Sequence, residues 1–172
     1  MNTFLDNINW EFILAILAIA ISIYSILLQR KHNTLSYKPI PVIVKYNYSS
    51  HISVKLWNKG TGPLIIKSVE VDKFQNLVDS LSLNIKTFVF VEYINDFRER
   101  AISSNDYLNM IEFKIRYDES KTPEEYEIAL QEIKNELHEK IITLIYTDIF
   151  NNYNTYKSIP LNFKDSKDEI EV

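Results

Sequence analysis

The residues best suited to binding chemistry are three lysines and two glycines in the first half of the chain. Lys45 and Lys55 occupy outward-pointing positions of two successive predicted strands, and Lys59 lies in the following turn beside Gly60 and Gly62. Backbone N–H groups in such a turn can form an anion-binding nest, to which the ammonium groups would add positive charge. The five residues, here called the basic patch, are a candidate site for a phosphate-bearing ligand. The simpler explanations are a tight strand connection for the glycines and a solvated sheet face for the lysines.

Catalytic and metal-binding signatures are absent from the sequence. No phosphate-binding loop, dinucleotide fingerprint, zinc-protease motif or hydrolase nucleophile elbow occurs. The chain contains no cysteine, which excludes disulfides, thiolate metal sites and a cysteine nucleophile. Its three histidines are scattered along the sequence, at His32, His51 and His138. We therefore expect a protein that is not an enzyme and binds no metal or cofactor.

Length and charge restrict the architecture further. The 172 residues suffice for one membrane anchor and one compact domain, and the composition of 46% hydrophobic and 24% charged residues is that of a folded chain. The net charge of −4 gives no global basic field, so general nucleic-acid binding is not expected.

A membrane anchor is predicted near the N-terminus. Residues 12–28 carry no charge, and seventeen helical residues would span roughly 26 Å, or more if the helix begins near Ile8. Trp10 would then lie at the membrane interface. A cleaved signal peptide is the alternative, but residues 1–10 lack Lys and Arg and no small-residue cleavage site follows the apolar segment. A buried core helix is unexpected in so small a domain.

Flanking charge predicts the orientation of this anchor. Asp6 and Glu11 precede the span, whereas Arg30, Lys31 and Lys38 follow it. The positive-inside rule places the N-terminus outside and the rest of the chain in the cytosol, anchored in the cytoplasmic (inner) membrane. Arg30 and Lys31, like Trp10, are expected at the membrane interface.

One side of the predicted helix carries most of its small or polar residues. They recur at alternating intervals of four and three residues, at Glu11, Ala15, Ala18, Ser22, Ser25 and Gln29. Small residues permit close helix approach in lipid, so this seam predicts a left-handed homo-oligomer, although alanine and serine are common in membrane helices anyway. Glu11 would either line the mouth of a pathway or sit in headgroup water.

Seven short strands and one helix are predicted after the anchor. The strands are 41–48, 51–57, 64–71, 88–94, 107–117, 141–150 and 153–163, with an Asn151-Asn152 turn before the last. Thr122-Pro123 and Glu125 start a helix that runs to about residue 139. The pattern predicts a mainly-β domain, an immunoglobulin-like β-sandwich with one inserted or packed helix. The expected divisions are an anchor segment at 1–29, a basic linker at 30–38, the β domain at 39–163 and a charged tail at 164–172.

Three short motifs resemble a family of small bacterial single-pass membrane proteins. They are the segment 29–39 directly after the anchor, the turn Asn58-Lys59-Gly60-Thr61-Gly62-Pro63, similar to an N-x-G-x-G-P turn, and the strand Tyr146-Thr147-Asp148, similar to a Y-x-D strand. The resemblance implies a cytosolic immunoglobulin-like sandwich and carries no catalytic residues. Leu64 departs from the alanine usual in the family, and the helix near 122–139 would be an insertion.

Two functions fit these features. The first is a membrane effector or sensor that assembles through the anchor, such as a pore-forming antiphage-defence protein controlled by a nucleotide-like ligand or a regulatory protein. The second is an anchored interaction module that recruits a partner without permeabilising the bilayer. Only the first predicts depolarisation of the membrane.

Overall fold

The computed structural model describes residues 10–82 and 86–163; the predicted charged tail at 164–172 lies outside them, as does Asp6. The chain forms two compact units that meet in sequence between Ser36 and Tyr37. The first contains one long helix, and the second contains all of the strands.

Helix α1 runs from Trp10–Ser36, 27 residues or about 40 Å, and buries none of its side chains. It is the one helix among the described residues that is long and apolar enough to cross a membrane, a test that a signal sequence would also pass. The helix continues beyond the uncharged segment, so most of the expected linker is helical. No glycine or proline interrupts residues 10–38, and Pro39 disfavours helical geometry in the residue before it.

The second unit is mainly β, as predicted, and contains two antiparallel four-stranded sheets. Sheet A has the order β1-β2-β6-β4 and sheet B the order β5-β3-β7-β8. The strands are β1 Pro41–Asn47, β2 His51–Asn58, β3 Leu64–Val71, β4 Val89–Tyr93, β5 Ala101–Ile102, β6 Tyr107–Ile115, β7 Ile142–Thr147 and β8 Tyr153–Lys157. Strand β5 was not predicted from the sequence, because two residues cannot display an alternating pattern.

The register of β1 decides which of its side chains face the core. Ile43 pairs with Leu56 and Lys45 pairs with Val54, and the side chains of Leu56 and Val54 are buried inside. Lys45 therefore lies on the inner side of this edge strand and Lys55 on the outer side, so the shared outward orientation expected for the two lysines is wrong. Three consecutive apolar residues at positions 42–44 fit either register equally well.

The core lies between the inner faces of the two sheets and is closed by a second helix. Its largest fully buried side chains come from both sheets, including Phe113 and Ile52 from sheet A and Ile66 and Leu144 from sheet B. Helix α2, Pro123–Leu137, adds the apolar side of its amphipathic sequence, Ala129, Leu130, Ile133 and Leu137. The predicted capping box is present between Thr122 and Glu125, with proline in the first turn.

Candidate functional site

The turn that follows β2 is organised by the side chain of Asn58, which is fully buried. Its Oδ1 accepts hydrogen bonds from the backbone N–H groups of Ile40 (3.2 Å) and Gly60 (3.0 Å). Its Nδ2 donates to the carbonyl oxygens of Gly62 (2.7 Å), Ile102 (3.0 Å) and Ser103 (3.2 Å). One side chain thus joins the turn to β5 and to the segment that leads into β1.

The backbone amides of this turn already have partners inside the protein. The N–H of Lys59 donates to the carbonyl of Ile40 (2.8 Å), that of Gly60 to Asn58, and that of Thr61 to the carbonyl of Lys38 (3.2 Å). Three consecutive donors that could have formed an anion-binding nest are therefore already engaged, two with residues 38–40 and one with the Asn58 side chain. The ligand capacity of this region comes from side chains instead.

The two glycines are needed for close backbone approach. Neither has a positive φ, contrary to the expectation for a tight turn. A Cβ atom on Gly60 would collide with the carbonyl oxygen of Lys38, and one on Gly62 with that of Tyr37. Since the obstructing atoms are backbone atoms, they cannot move aside as a flexible side chain would.

The structure does not bring the basic patch together as one site. The Nζ of Lys45 donates to the carbonyl of Asn162 (3.1 Å) on the inner side of sheet A. Lys55 and Lys59 belong to the outer side, where each ammonium group lies against aromatic rings. The two lysines therefore form part of a different surface from the one predicted.

That surface is a continuous array of rings and ammonium groups on the outer face of sheet A. Lys55 Nζ lies 4.7 Å from the ring centroid of Tyr46 on β1 and 4.4 Å from that of Tyr107 on β6. Tyr107 contacts Trp57 at 4.8 Å between centroids, and Lys59 Nζ lies 3.9 Å above the Trp57 ring. At the other end the array continues through two stacked contacts, Tyr46–Tyr48 (6.0 Å) and Tyr48–His51 (4.4 Å). We call these residues the aromatic ladder: His51, Tyr48, Tyr46, Lys55, Tyr107, Trp57 and Lys59.

Strand register explains why these side chains meet. Lys55 is paired directly with Val44 and Asn109, which places the rings of Tyr46 and Tyr107 two residues along the neighbouring strands on the same face. Such diagonal neighbours lie within reach of aromatic and long side chains. The sequence signal for the ladder is present, in tyrosine and tryptophan at alternate strand positions, but it becomes visible only once the register of β1 is known.

Charge is distributed unevenly over the outer face of sheet A. Lys55 and Lys59 make cation–π contacts and no ion pair within the described parts of the chain, although the protein as a whole is acidic. Farther along the same face, Lys114 lies 3.1 Å from both Glu92 and Glu112, and the hydrogen bonds that it donates to Glu112 and Glu92 raise its pKa. The ladder therefore carries unneutralised positive charge, whereas the adjoining part of the face places one lysine between two carboxylates.

Three buried polar atoms beneath this face lack hydrogen-bond partners in the described structure: Ser53 Oγ, Trp57 Nε1 and Asn109 Oδ1. Ser53 is only 1% exposed and is paired in register with Tyr46 and Glu112. Such unsatisfied groups are uncommon in folded proteins because they lose hydration without compensation. Their concentration under one face distinguishes this face from the rest of the domain.

A polar cavity of about 300 Å³ lies elsewhere, between residues 68–79 and 95–98. Asn76, which is buried, donates to Asp79 Oδ2 (2.8 Å), and Asp96 forms a two-point contact with Arg98 through Nε and Nη2, both at 3.1 Å. Hydrogen bonds from Arg98 lower the pKa of the Asp96 carboxyl. The polar side chains of this cavity therefore hydrogen-bond to one another.

The Tyr146-Thr147-Asp148 motif serves the hairpin between β7 and β8. Asp148 is buried, and its carboxylate accepts hydrogen bonds from the backbone N–H groups of Phe150 (2.8 Å) and Asn152 (3.0 Å) and from the Asn152 side chain (2.8 Å). Asn151 has a φ of 60°, the left-handed geometry predicted for this turn. Burial raises the pKa of the Tyr146 phenol.

The predicted oligomerisation seam lies on α1, where helical geometry aligns Glu11, Ala15, Ala18, Ser22 and Ser25 along one side, all of them exposed. Ser22 Oγ donates to the carbonyl of Ala18 (2.8 Å) within the same helix. The predicted interface residues Trp10, Arg30 and Lys31 are also exposed on α1. These residues are presented on a regular helix.

Within residues 10–82 and 86–163, no three His, Asp or Glu side chains are grouped so that they could hold a metal ion. No protein-family model matches the chain, and no curated protein is significantly similar to it in sequence.

Proposed function

We propose that this chain is a single-pass membrane protein whose β domain acts by binding rather than by catalysis. The observation that carries the proposal is α1, which exposes a continuous apolar surface from Phe12 to Leu28. Water would penalise exposure of this size by tens of kilocalories per mole at about 25 cal/mol per Å², whereas a bilayer core accommodates it. A separate compact unit follows directly, which is the arrangement of an anchor and a working domain.

We further propose that the β domain is immunoglobulin-like. Two features support this assignment. Sheet A pairs the first, second, sixth and fourth strands, and sheet B contains the run third-seventh-eighth. With β1, β2, β3, β4, β6, β7 and β8 taken as strands A to G, these are the ABED and CFG orders of constant-type immunoglobulin domains. Helix α2 then occupies the connection between strands E and F.

The proposed orientation places the domain in the cytosol. Arg30, Lys31 and Lys38 follow the apolar segment of α1, and basic residues next to a span are retained on the cytoplasmic side. Protease added to intact spheroplasts should leave a C-terminal tag uncut and remove an N-terminal one. Ready cleavage of the C-terminal tag would overturn the orientation.

Membrane anchoring is tested by alkaline carbonate extraction of the full chain with a tag at each end. We expect both tags to remain together in the membrane pellet, because an apolar span resists extraction. Replacing Ile16 and Ile19 with Asp should release the chain, whereas the same changes at Ile128 and Ile159, exposed isoleucines of the β domain, should not. Loss of the N-terminal tag with release of the remainder would instead identify α1 as a cleaved signal sequence.

A second candidate function is a pore-forming effector, and the small-residue seam favours it. In this hypothesis α1 assembles through Ala15, Ala18, Ser22 and Ser25, with Glu11 at one end, under the control of a nucleotide-like ligand or a regulatory protein bound to the domain. Expression of the full chain in cells loaded with a membrane-potential dye separates the two functions. Depolarisation that disappears in the Ala18→Leu, Ser22→Leu variant would support the effector, and an unchanged potential would leave the anchored binding module.

A further inference from the structure

We propose that the aromatic ladder is a docking surface for the anionic phospholipid headgroups of the membrane in which α1 is anchored. This inference rests on the proposed membrane anchoring and adds a specific role for the outer face of sheet A. The domain would then rest against the bilayer through Lys55, Lys59 and the rings between them, in an equilibrium that depends on lipid charge.

The chemistry of the ladder fits a headgroup layer. Lys55 and Lys59 carry positive charge that no described carboxylate neutralises, so phosphate groups are complementary to them. Tyr107 and Tyr48 are each 44% exposed and combine an apolar ring with a polar hydroxyl. Tyrosine, tryptophan and lysine are the side chains that concentrate at the membrane interface, where one part of the side chain is apolar and the other is hydrated.

The arrangement of the rings favours headgroups over nucleobases. A base would need a free aromatic face on which to stack. Here Tyr107 is engaged by Lys55 and Trp57, and Tyr46 is engaged by Lys55 and Tyr48. A phosphate-rich surface requires only the ammonium and hydroxyl groups at the rim of the rings.

The path of the chain ties one end of this surface to the residues that follow α1. The turn that carries Lys59 is hydrogen-bonded to Lys38 and Ile40, and Gly62 packs on the backbone of Tyr37. Tyr37 follows Ser36, the last residue of α1, so connectivity alone keeps this end of the ladder close to where the chain leaves the helix. Glu92 and Glu112, which an anionic surface would repel, lie farther along the face and share Lys114, which neutralises one of their two charges.

The test uses Trp57 as the reporter in the full chain. Trp10 and Trp57 are the two tryptophans of the protein, so Trp10→Phe leaves a single fluorophore inside the ladder. This variant is reconstituted in nanodiscs of phosphatidylcholine alone or mixed with phosphatidylglycerol, each with a lipid that carries a quencher near the headgroup. We expect stronger quenching and a blue-shifted Trp57 emission in the anionic discs, reversed by raising the salt concentration because exposed charges are then screened.

Charge substitutions make the test specific. Lys55→Gln with Lys59→Gln should lower the ratio of docked to free domain by about 25-fold, taking about fivefold for each lysine near an anionic surface. Lys55→Arg with Lys59→Arg should retain docking. The matched control, Lys73→Gln with Lys157→Gln, removes two exposed lysines outside the ladder and should leave the quenching unchanged. If the two glutamine substitutions disturb the fold, the salt titration of the Trp10→Phe chain tests the docking proposal by itself.

Two results would overturn the docking proposal. One is equal quenching in neutral and anionic discs. The other is Trp57 emission that does not change with the lipid composition but changes when a soluble nucleotide is added. Failure of the anchoring itself is seen separately, because the chain would then not co-purify with the discs. If the chain is anchored but the fluorescence of Trp57 does not depend on lipid charge, only the docking proposal is refuted.

Discussion

Among the polar side chains of the described domain, that of Asn58 makes the most hydrogen bonds. It is completely buried and makes five hydrogen bonds, two as acceptor and three as donor. The groups that it binds belong to three separate stretches of the chain. This explains why asparagine stands at the head of the Asn58–Pro63 turn: aspartate has no N–H to donate, and serine cannot reach as many partners.

Replacing Asn58 with Ala should therefore reduce the free energy of unfolding by at least about 3 kcal/mol, because several buried backbone groups would lose their partners together. Urea denaturation of the fragment 37–172, followed by circular dichroism, would measure the change. Asn135→Ala, at an exposed helical position, is the matched control and should shift stability little in either direction. A loss below about 1 kcal/mol at Asn58 would show that water replaces the amide.

Helix α2 depends on local signals that are complete within a few residues. Thr122 accepts a hydrogen bond from the N–H of Glu125, and the Glu125 carboxylate accepts one from the N–H of Thr122 (3.0 Å). This backbone hydrogen bond, with a contribution from Lys121, lowers the pKa of Glu125. The helix buries Leu130, Ile133 and Leu137 against the core, so its first turn is coupled to the stability of the domain.

Thr122→Ala should cost about 1 kcal/mol of domain stability, since it removes the acceptor for one of the unpaired N–H groups of the first turn. Thr122→Ser keeps that acceptor and should restore most of the loss. Thermal or urea unfolding of the two variants side by side gives the comparison. Equal stability of the alanine and serine variants would mean that Glu125 and Pro123 are sufficient to start the helix.

Helix α1 should self-associate through its small-residue seam. Ala15, Ala18, Ser22 and Ser25 repeat every 3.5 residues on average, so they stay aligned along a left-handed pair of helices. Small side chains permit close approach, and serine hydroxyls can add interhelical hydrogen bonds of about 0.6 kcal/mol each. Ser22 already donates to Ala18 in its own helix, so across an interface its oxygen would act mainly as an acceptor.

Crosslinking in native membranes tests this seam with two matched pairs of substitutions. Ala18→Leu with Ser22→Leu should separate the helices and reduce the crosslinked dimer severalfold, because bulky side chains replace small ones at the closest approach. Ile19→Leu with Ile23→Leu changes neither volume nor polarity appreciably and should have little effect. If both pairs behave alike, the spacing is an accident of composition and the effector hypothesis loses its main support.

At the scale of the whole molecule, the chain contains one long helix that buries none of its residues and one unit with a hydrophobic core. The core of the β domain draws on both sheets and on α2, and it involves no residue of α1. The two units therefore differ: α1 exposes its apolar side chains, whereas the β domain encloses most of its own.

The fragment 37–172 should consequently fold alone as a soluble, mainly-β domain. It keeps Tyr37, against which Gly62 packs, and all of the buried apolar residues. Circular dichroism should show a β-rich spectrum and a single cooperative unfolding transition. A mostly helical or unfolded spectrum would contradict this prediction. A shorter fragment that begins at residue 41 is the informative control and should be less stable, since it loses the backbone partners of Lys59 and Thr61.

Local features of this protein were readable from the sequence because each is completed within a few residues. The apolar segment predicted a membrane-spanning helix, and a long apolar helix is present there; Thr122 and Glu125 predicted the start of α2, and Asn151 predicted the hairpin between β7 and β8. Alternating apolar residues, bounded by turn residues, likewise predicted the positions of all described strands longer than two residues. For these elements, periodicity and capping chemistry were sufficient.

Tertiary structure alone decided which side chains meet. The run of apolar residues at 42–44 left the face of β1 ambiguous, and only pairing with β2 moved Lys45 inside and left Lys55 between Tyr46 and Tyr107. The glycines were expected to serve a tight turn or an anion-binding nest, yet they are required by the backbone of residues 37–38, which the sequence does not mark as their neighbour. Contacts across strands depend on register and on distant segments, and a linear pattern carries no information about either until the sheet has formed.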